Sequence, residues 1–168
     1  MKLLALILNL VIIISNCCGQ SNDRPKRDSF KLNITVDEGN FYSTDVKASS
    51  FILPKNTVQF YSGETLFVEV EIMGNEVKSM KSVKENLNPE KTLIISLTQQ
   101  IEAKKHKGMI LKIVNPFNKK IDYKANAFLM KTNKWAPTNV LPVQAKLSAV
   151  ETWPDIVITL ALSGWEFK

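Results

Sequence analysis

The sequence holds one histidine and two cysteines, and both cysteines, Cys17 and Cys18, lie among its first 18 residues. Nothing downstream can form an internal disulfide, and adjacent cysteines pair poorly because the required Cα spacing is strained. Glycine is scarce: the six glycines are isolated from one another, so no phosphate-cradling GxGxxG or P-loop segment exists. A GxSxG nucleophile elbow and an HExxH pair are missing as well. Glu102 and His106 have the i, i+4 spacing of two metal ligands on a helix. One histidine and one carboxylate are too few, and Lys104, Lys105 and Lys107 around them repel a cation. Acid–base or nucleophilic catalysis needs several polar groups converging on one cleft, and no pair of carboxylates is singled out by context. No catalytic residue, metal site or cofactor is therefore expected.

Charge of one sign does not dominate either. Lys and Arg number 22 against 16 Asp and Glu, a formal net of +6. The densest basic groups, Lys104-Lys105-Lys107 and Lys119-Lys120, flank a single expected strand. Seven strand residues span about 23 Å, which puts the two groups at opposite ends of the domain rather than in one groove. Aromatic residues do not interleave them as single-strand binding requires, so nucleic acid is not an expected partner. The excess reads as solubility and a weak attraction to acidic surfaces.

What is present begins at the N-terminus. Lys2 precedes thirteen residues, positions 3–15, that are apolar except for Asn9 and the closing Ser15. A spanning helix needs about 20 apolar residues, so this is the layout of an export signal rather than a transmembrane anchor. Ile14-Ser15-Asn16-Cys17 then resembles the lipobox of bacterial membrane lipoproteins, with Asn16 standing where Gly or Ala is usual. The resemblance implies a leader over residues 1–16 and a new N-terminus at Cys17. Acyl chains on Cys17 would hold the protein to a membrane of the bacterial cell envelope. The alternative is ordinary cleavage before Gln20, which releases a soluble periplasmic or secreted chain. Loss of Lys2 with the leader leaves +5. Residues 17–28 are the lipidated cysteine and a polar tether with nothing to bury.

From residue 29 to 168 the dominant period is two. Phe30, Leu32, Ile34 and Val36 alternate with polar residues, as do Leu66, Val68, Val70 and Ile72. Met109, Leu111 and Ile113 oppose Lys112, and Tyr123, Ala125, Ala127 and Leu129 oppose Lys124 and Asn126. Residues 93–97 and 156–162 are apolar on both faces and β-branched, which predicts central strands. Shorter strands are expected near 41–47, 57–61 and 140–147. Turn signals such as Glu38-Gly39-Asn40 and Gly74-Asn75 separate the runs. Only residues 77–87 also fit a helix, through Val77, Met80, Lys84 and Leu87. The expected fold is all-β, an antiparallel two-sheet sandwich of immunoglobulin-like architecture with at most one short helix.

If Tyr123, Ala125, Ala127 and Leu129 face the core, Phe128 and Met130 face away from it. Trp135 follows after a tight turn, and the three form the candidate binding patch, since aromatic residues and Met are enriched at interfaces. The expected function is an exported, lipid-anchored binding or interaction protein without catalytic activity. Its partners are the membrane, through Cys17, and an envelope or extracellular protein or polysaccharide. Two alternatives stand beside it. One is a glycan-binding module using Trp135 with Trp153 or Trp165, although those two tryptophans read more simply as packing. The other is a carboxylate-based hydrolase or an enzyme inhibitor of the envelope.

Overall fold

Strand follows strand through residues 26–168, the part of the chain that the computed structural model describes. In chain order they are β1 (Lys26–Arg27), β2 (Phe30–Asp37), β3 (Asn40–Val46), β4 (Ser49–Ser50), β5 (Ile52–Leu53) and, after a 3₁₀ turn at Pro54–Asn56, β6 (Thr57–Tyr61) and β7 (Thr65–Met73). They continue as β8 (Glu76–Val83), β9 (Thr92–Glu102), β10 (Lys105–Val114), β11 (Ile121–Leu129), β12 (Lys134–Thr138), β13 (Ser148–Trp153) and β14 (Val157–Phe167). Among the described residues every pairing is antiparallel. No helix among them is long and apolar enough to cross a membrane.

While β1 pairs separately with β4, ten of the described strands form two sheets, β12-β11-β14-β6-β5 and β8-β7-β9-β10-β13, whose one ladder joint among the described residues is Glu166 of β14 against Glu76 of β8. Between them lies the main core, where Phe60, Leu93, Ile95, Leu97, Met109, Ile113, Leu160, Leu162 and Phe167 are wholly buried. The architecture is an antiparallel sandwich, as the two-residue periodicity implies. The β2–β3 hairpin lies outside both sheets as a third layer. Its Leu32, Ile34 and Val46 bury a second, smaller core against Ile156 and Ile158 on the outer face of the first sheet.

One strand serves both cores because it is bulged. Phe128 pairs with Thr159 but Leu129 pairs with Val157, which leaves Ile158 as an extra residue on β14. The bulge reverses the phase of the pleat, so Val157 enters the main core and Ile158 the second. A second bulge turns at Gly164, whose φ of +63° is open to glycine without a steric penalty. It lets Leu162 and Trp165, three residues apart, face the same core.

Bulging also explains where periodicity misleads. Residues 77–83 are strand, not helix. Glu71 pairs with Ser79 and Ile72 with Val77, so Lys78 is the extra residue. Val77 and Met80 therefore share a face at the three-residue spacing of a helix. Residues 140–147 are not a strand either: only Val143 pairs, with Ile121, and Pro142 beside it has no N–H for a ladder. Arg27, counted with the polar tether, is instead 4% exposed and belongs to the folded domain. The Cys17 site and the leader fall outside the described residues.

The β9–β10 turn carries local strain. Ala103 and Lys104 occupy its two central positions with φ of +47° and +61°. Such turns favour Asn-Gly, and an alanine in the left-handed region costs roughly 1 kcal/mol. Ala103→Asn is expected to raise unfolding stability by about 0.5–1 kcal/mol in urea titration. An unchanged or lowered midpoint would show that the strain is relieved elsewhere.

Candidate functional site

The first sheet sets out a row of side chains on its outer face. Trp135 of β12 pairs with Phe128 of β11, Phe128 with Thr159 of β14, and Thr159 with Tyr61 of β6. Four neighbouring strands thus place two aromatic rings, a hydroxyl and a third ring side by side. The β2–β3 hairpin overhangs this row and contributes Tyr42, Thr44 and Val46 from the inward-facing positions of β3. Between hairpin and sheet runs a cleft of about 250 Å³, with Gln59 also on its wall. Ile158 and Thr159, adjacent in sequence, both reach it because of the bulge.

Two of the three patch residues expected from sequence, Phe128 and Trp135, line this cleft. Met130 does not; it packs into the second core behind the wall. The expected open face is partly covered: the hairpin leaves Phe128 and Met130 half-buried, while Trp135 remains 47% exposed. Phe128 braces Trp135 edge-on, with ring centroids 5.5 Å apart and planes at 65°. Tyr42 and Tyr61 escaped the sequence reading. The alternation Val58-Gln59-Phe60-Tyr61 would have revealed Tyr61, since Val58 and Phe60 enter the main core and leave Gln59 and Tyr61 on the other face.

The other tryptophans are engaged elsewhere. Trp165 is 7% exposed, stacks on Tyr123 at 5.4 Å and donates its indole N–H to the Asn56 carbonyl at 3.0 Å. Burial withdraws it from any sugar platform. Trp153 is half-buried against the main core and donates to Thr138 Oγ1 at 2.7 Å.

His106 lies within β10 and is half-buried. The turn closes earlier, at Ala103-Lys104, where no glycine or asparagine announces it. Its Nε2 lies 2.9 Å from the Pro154 carbonyl, which can only accept, so Nε2 carries the proton and Nδ1 accepts from Gln99 Nε2 at 2.9 Å. Gln99 in turn accepts from the Thr35 N–H and donates to the Thr35 carbonyl, at 3.1 and 2.6 Å. A side-chain amide thereby takes the place of a strand along the outer edge of β2.

Apart from Asp45 and the Arg27–Glu64 pair behind Tyr61, the ionised groups with perturbed or paired side chains lie away from the cleft. Asp45 borders it, but on β3 it alternates with the inward Thr44 and Val46 and pairs in register with Lys31. Burial pushes the Glu69 carboxyl up, yet hydrogen bonds from Lys81 and Asn88 and the charges of Lys81 and Lys91 bring it below the usual range. A hydrogen bond from Lys168, with Lys120 assisting, likewise lowers Asp122. Asp122 sits six residues along β11 from Phe128, about 20 Å away. Lys104 pairs with Glu38 and Lys107 with Glu102 near one end of β10, while Lys119 binds the Gly74 carbonyl beyond the other. Among the described residues, no group of three or more His, Cys, Asp or Glu side chains is placed to hold a metal ion. Compared with protein-family models, curated proteins and solved structures, the chain matches none of them.

Proposed function

We propose that this chain is an exported, lipid-anchored β-sandwich binding protein of the bacterial envelope, working without catalysis through the cleft beneath its hairpin. The observation that carries the reading is the cleft: aromatic rings and polar side chains from five strands converge there. Concave, ring-lined sites with a few polar groups are the usual form of ligand pockets. Export and anchoring rest on the apolar run at positions 3–15 and on Cys17 at the lipobox-like segment. The partner is an envelope or extracellular protein or polysaccharide.

Two measurements test this. Acyl labelling is expected to mark the wild-type chain and not Cys17→Ser; an unlabelled mature chain beginning at Gln20 would remove the anchor. For the cleft, solubilised envelope protein and purified envelope polysaccharide are each added to the full-length chain, because a ligand that binds only the native state raises its melting temperature. At least one fraction should raise the wild-type midpoint by 2 °C or more at about ten times the dissociation constant, with little change in Trp135→Ala. Shifts of equal size in both proteins would mean that binding occurs elsewhere, and none at all would leave no binder.

A further inference from the structure

The hydrogen-bonding groups around the cleft discriminate between ligand classes. The hydroxyls of Tyr42, Thr44 and Tyr61 and the indole N–H of Trp135 make no hydrogen bond to any described residue. Gln59 spends its amide only on a 3.5 Å approach to Thr159 Oγ1. All five groups are neutral; Asp45 borders the cleft from the outward-facing side of its strand, and Arg27, 4.8 Å from the Tyr61 ring centroid, is already paired through two bonds with Glu64. An anionic ligand would shed its hydration here and meet only the like charge of Asp45, and a cation would find no more than that one carboxylate at the margin. A wholly apolar ligand would cover these donors and acceptors and leave them unpaired. Both conditions are met by a molecule with neutral hydroxyls around its edge and a C–H face for an aromatic ring.

On the proposed reading that the cleft is the binding site, we infer that it takes one ring of a neutral saccharide, stacked on Trp135 and hydrogen-bonded by Tyr42, Thr44, Gln59 and Tyr61. The space sets the scale. About 250 Å³ lies just below the roughly 300–1,000 Å³ of pockets that enclose drug-sized ligands, which suits a single ring of a longer polymer. Ring geometry agrees, because Phe128 meets Trp135 at 65° and the pair makes no flat platform for consecutive sugars. Trp135, on an exposed strand at the edge of its sheet, is the most exposed of the rings lining the cleft, and Phe128 fixes its angle.

The test uses the full-length chain in detergent, titrated with soluble β-glucan, mannan, galactan and chitin oligosaccharides, with polygalacturonate as the anionic comparison. An unstructured peptide library is run alongside, since β3 presents an edge without a partner strand among the described residues and an extended peptide is the rival occupant. At least one neutral glycan should bind and quench tryptophan fluorescence, while polygalacturonate should not. Trp135→Ala is expected to weaken binding roughly fivefold to tenfold. Tyr42→Phe, which removes one hydroxyl and keeps the ring, should weaken it severalfold with an unchanged melting temperature. Glycan binding that survives both substitutions overturns the assignment. Peptide binding that depends on Trp135, without glycan binding, overturns the saccharide and leaves the cleft as a binding site. No Trp135-dependent binding of either class overturns both.

Discussion

Arg27→Ala should be among the most damaging single substitutions in the domain, costing about 3–5 kcal/mol of unfolding stability. The side chain is one of the most completely used in the structure. Its guanidinium meets Glu64 through two parallel bonds, Nε–Oε1 at 2.6 Å and Nη2–Oε2 at 2.8 Å. Nη1 donates to Ser49 Oγ at 2.8 Å and Nη2 to the Gln59 carbonyl at 3.0 Å. Phe51 and Tyr61 lie with ring centroids 4.6 and 4.8 Å from its central carbon, each worth about 1 kcal/mol in a partly desolvated site. Removing the guanidinium leaves the Glu64 carboxylate with the Tyr61 N–H but no counter-charge, which is where most of the cost arises. Thermal unfolding should fall by about 10 °C. Arg27→Lys retains the charge but not the planar fork, so it should recover only part of the loss. A cost under 1 kcal/mol would show that β1 frays without consequence.

The second large effect is at Asn115, which is 1% exposed in the turn after β10. Its Nδ2 donates to the carbonyls of Lys119, Gln144 and Val143 at 2.8, 3.0 and 3.2 Å, and its Oδ1 accepts from the Phe117 N–H at 2.9 Å. This one side chain ties the 115–119 turn to the irregular segment around Val143. Asn115→Ala strands the Phe117 N–H and the Lys119 carbonyl in a buried place, at about 3 kcal/mol for the two together. Asn115→Asp should be worse at neutral pH although its shape is the same, because a carboxylate would face three carbonyl oxygens. Its pKa would be raised, so its penalty shrinks as the pH falls and the acid gains a proton to donate. Urea titrations at pH 7 and pH 4.5 check both statements. An equal penalty for Asn115→Asp relative to wild type at the two pH values would refute the carbonyl cage.

Much of this architecture was legible in the residues. Leu66, Val68 and Val70, or Met109, Leu111 and Ile113, place their strands without help from outside, because one face is buried and the other is wet. The alternation around Tyr123 also put Phe128 on the outer face, where it lines the cleft. Periodicity misleads where the phase of the pleat changes. Lys78 and Ile158 are bulge residues, and no local composition distinguishes them from their neighbours. Local sequence misleads again where long-range partners decide the outcome. Arg27 looks like linker until Glu64, 37 residues away, is brought beside it. The cleft needs Tyr42 and Tyr61 from two strands whose adjacency only the third layer creates.

The position of β14 has a consequence for the order of events in making the protein. It is the last described strand to be synthesised, yet it lies between β6 and β11 and carries the joint to β8. Thr159 donates to Phe60, 99 residues earlier, and Trp165 to Asn56, 109 residues earlier. A growing chain therefore holds β5–β6 and β11–β12 apart, with neither sheet joined to the other, until residues 157–167 have emerged. Pairings of such separation close slowly, after most of the loop entropy has been spent. On the proposed reading that the chain is exported as an extended thread, this delay works in its favour. The native sandwich cannot close while residues 157–167 are still being made.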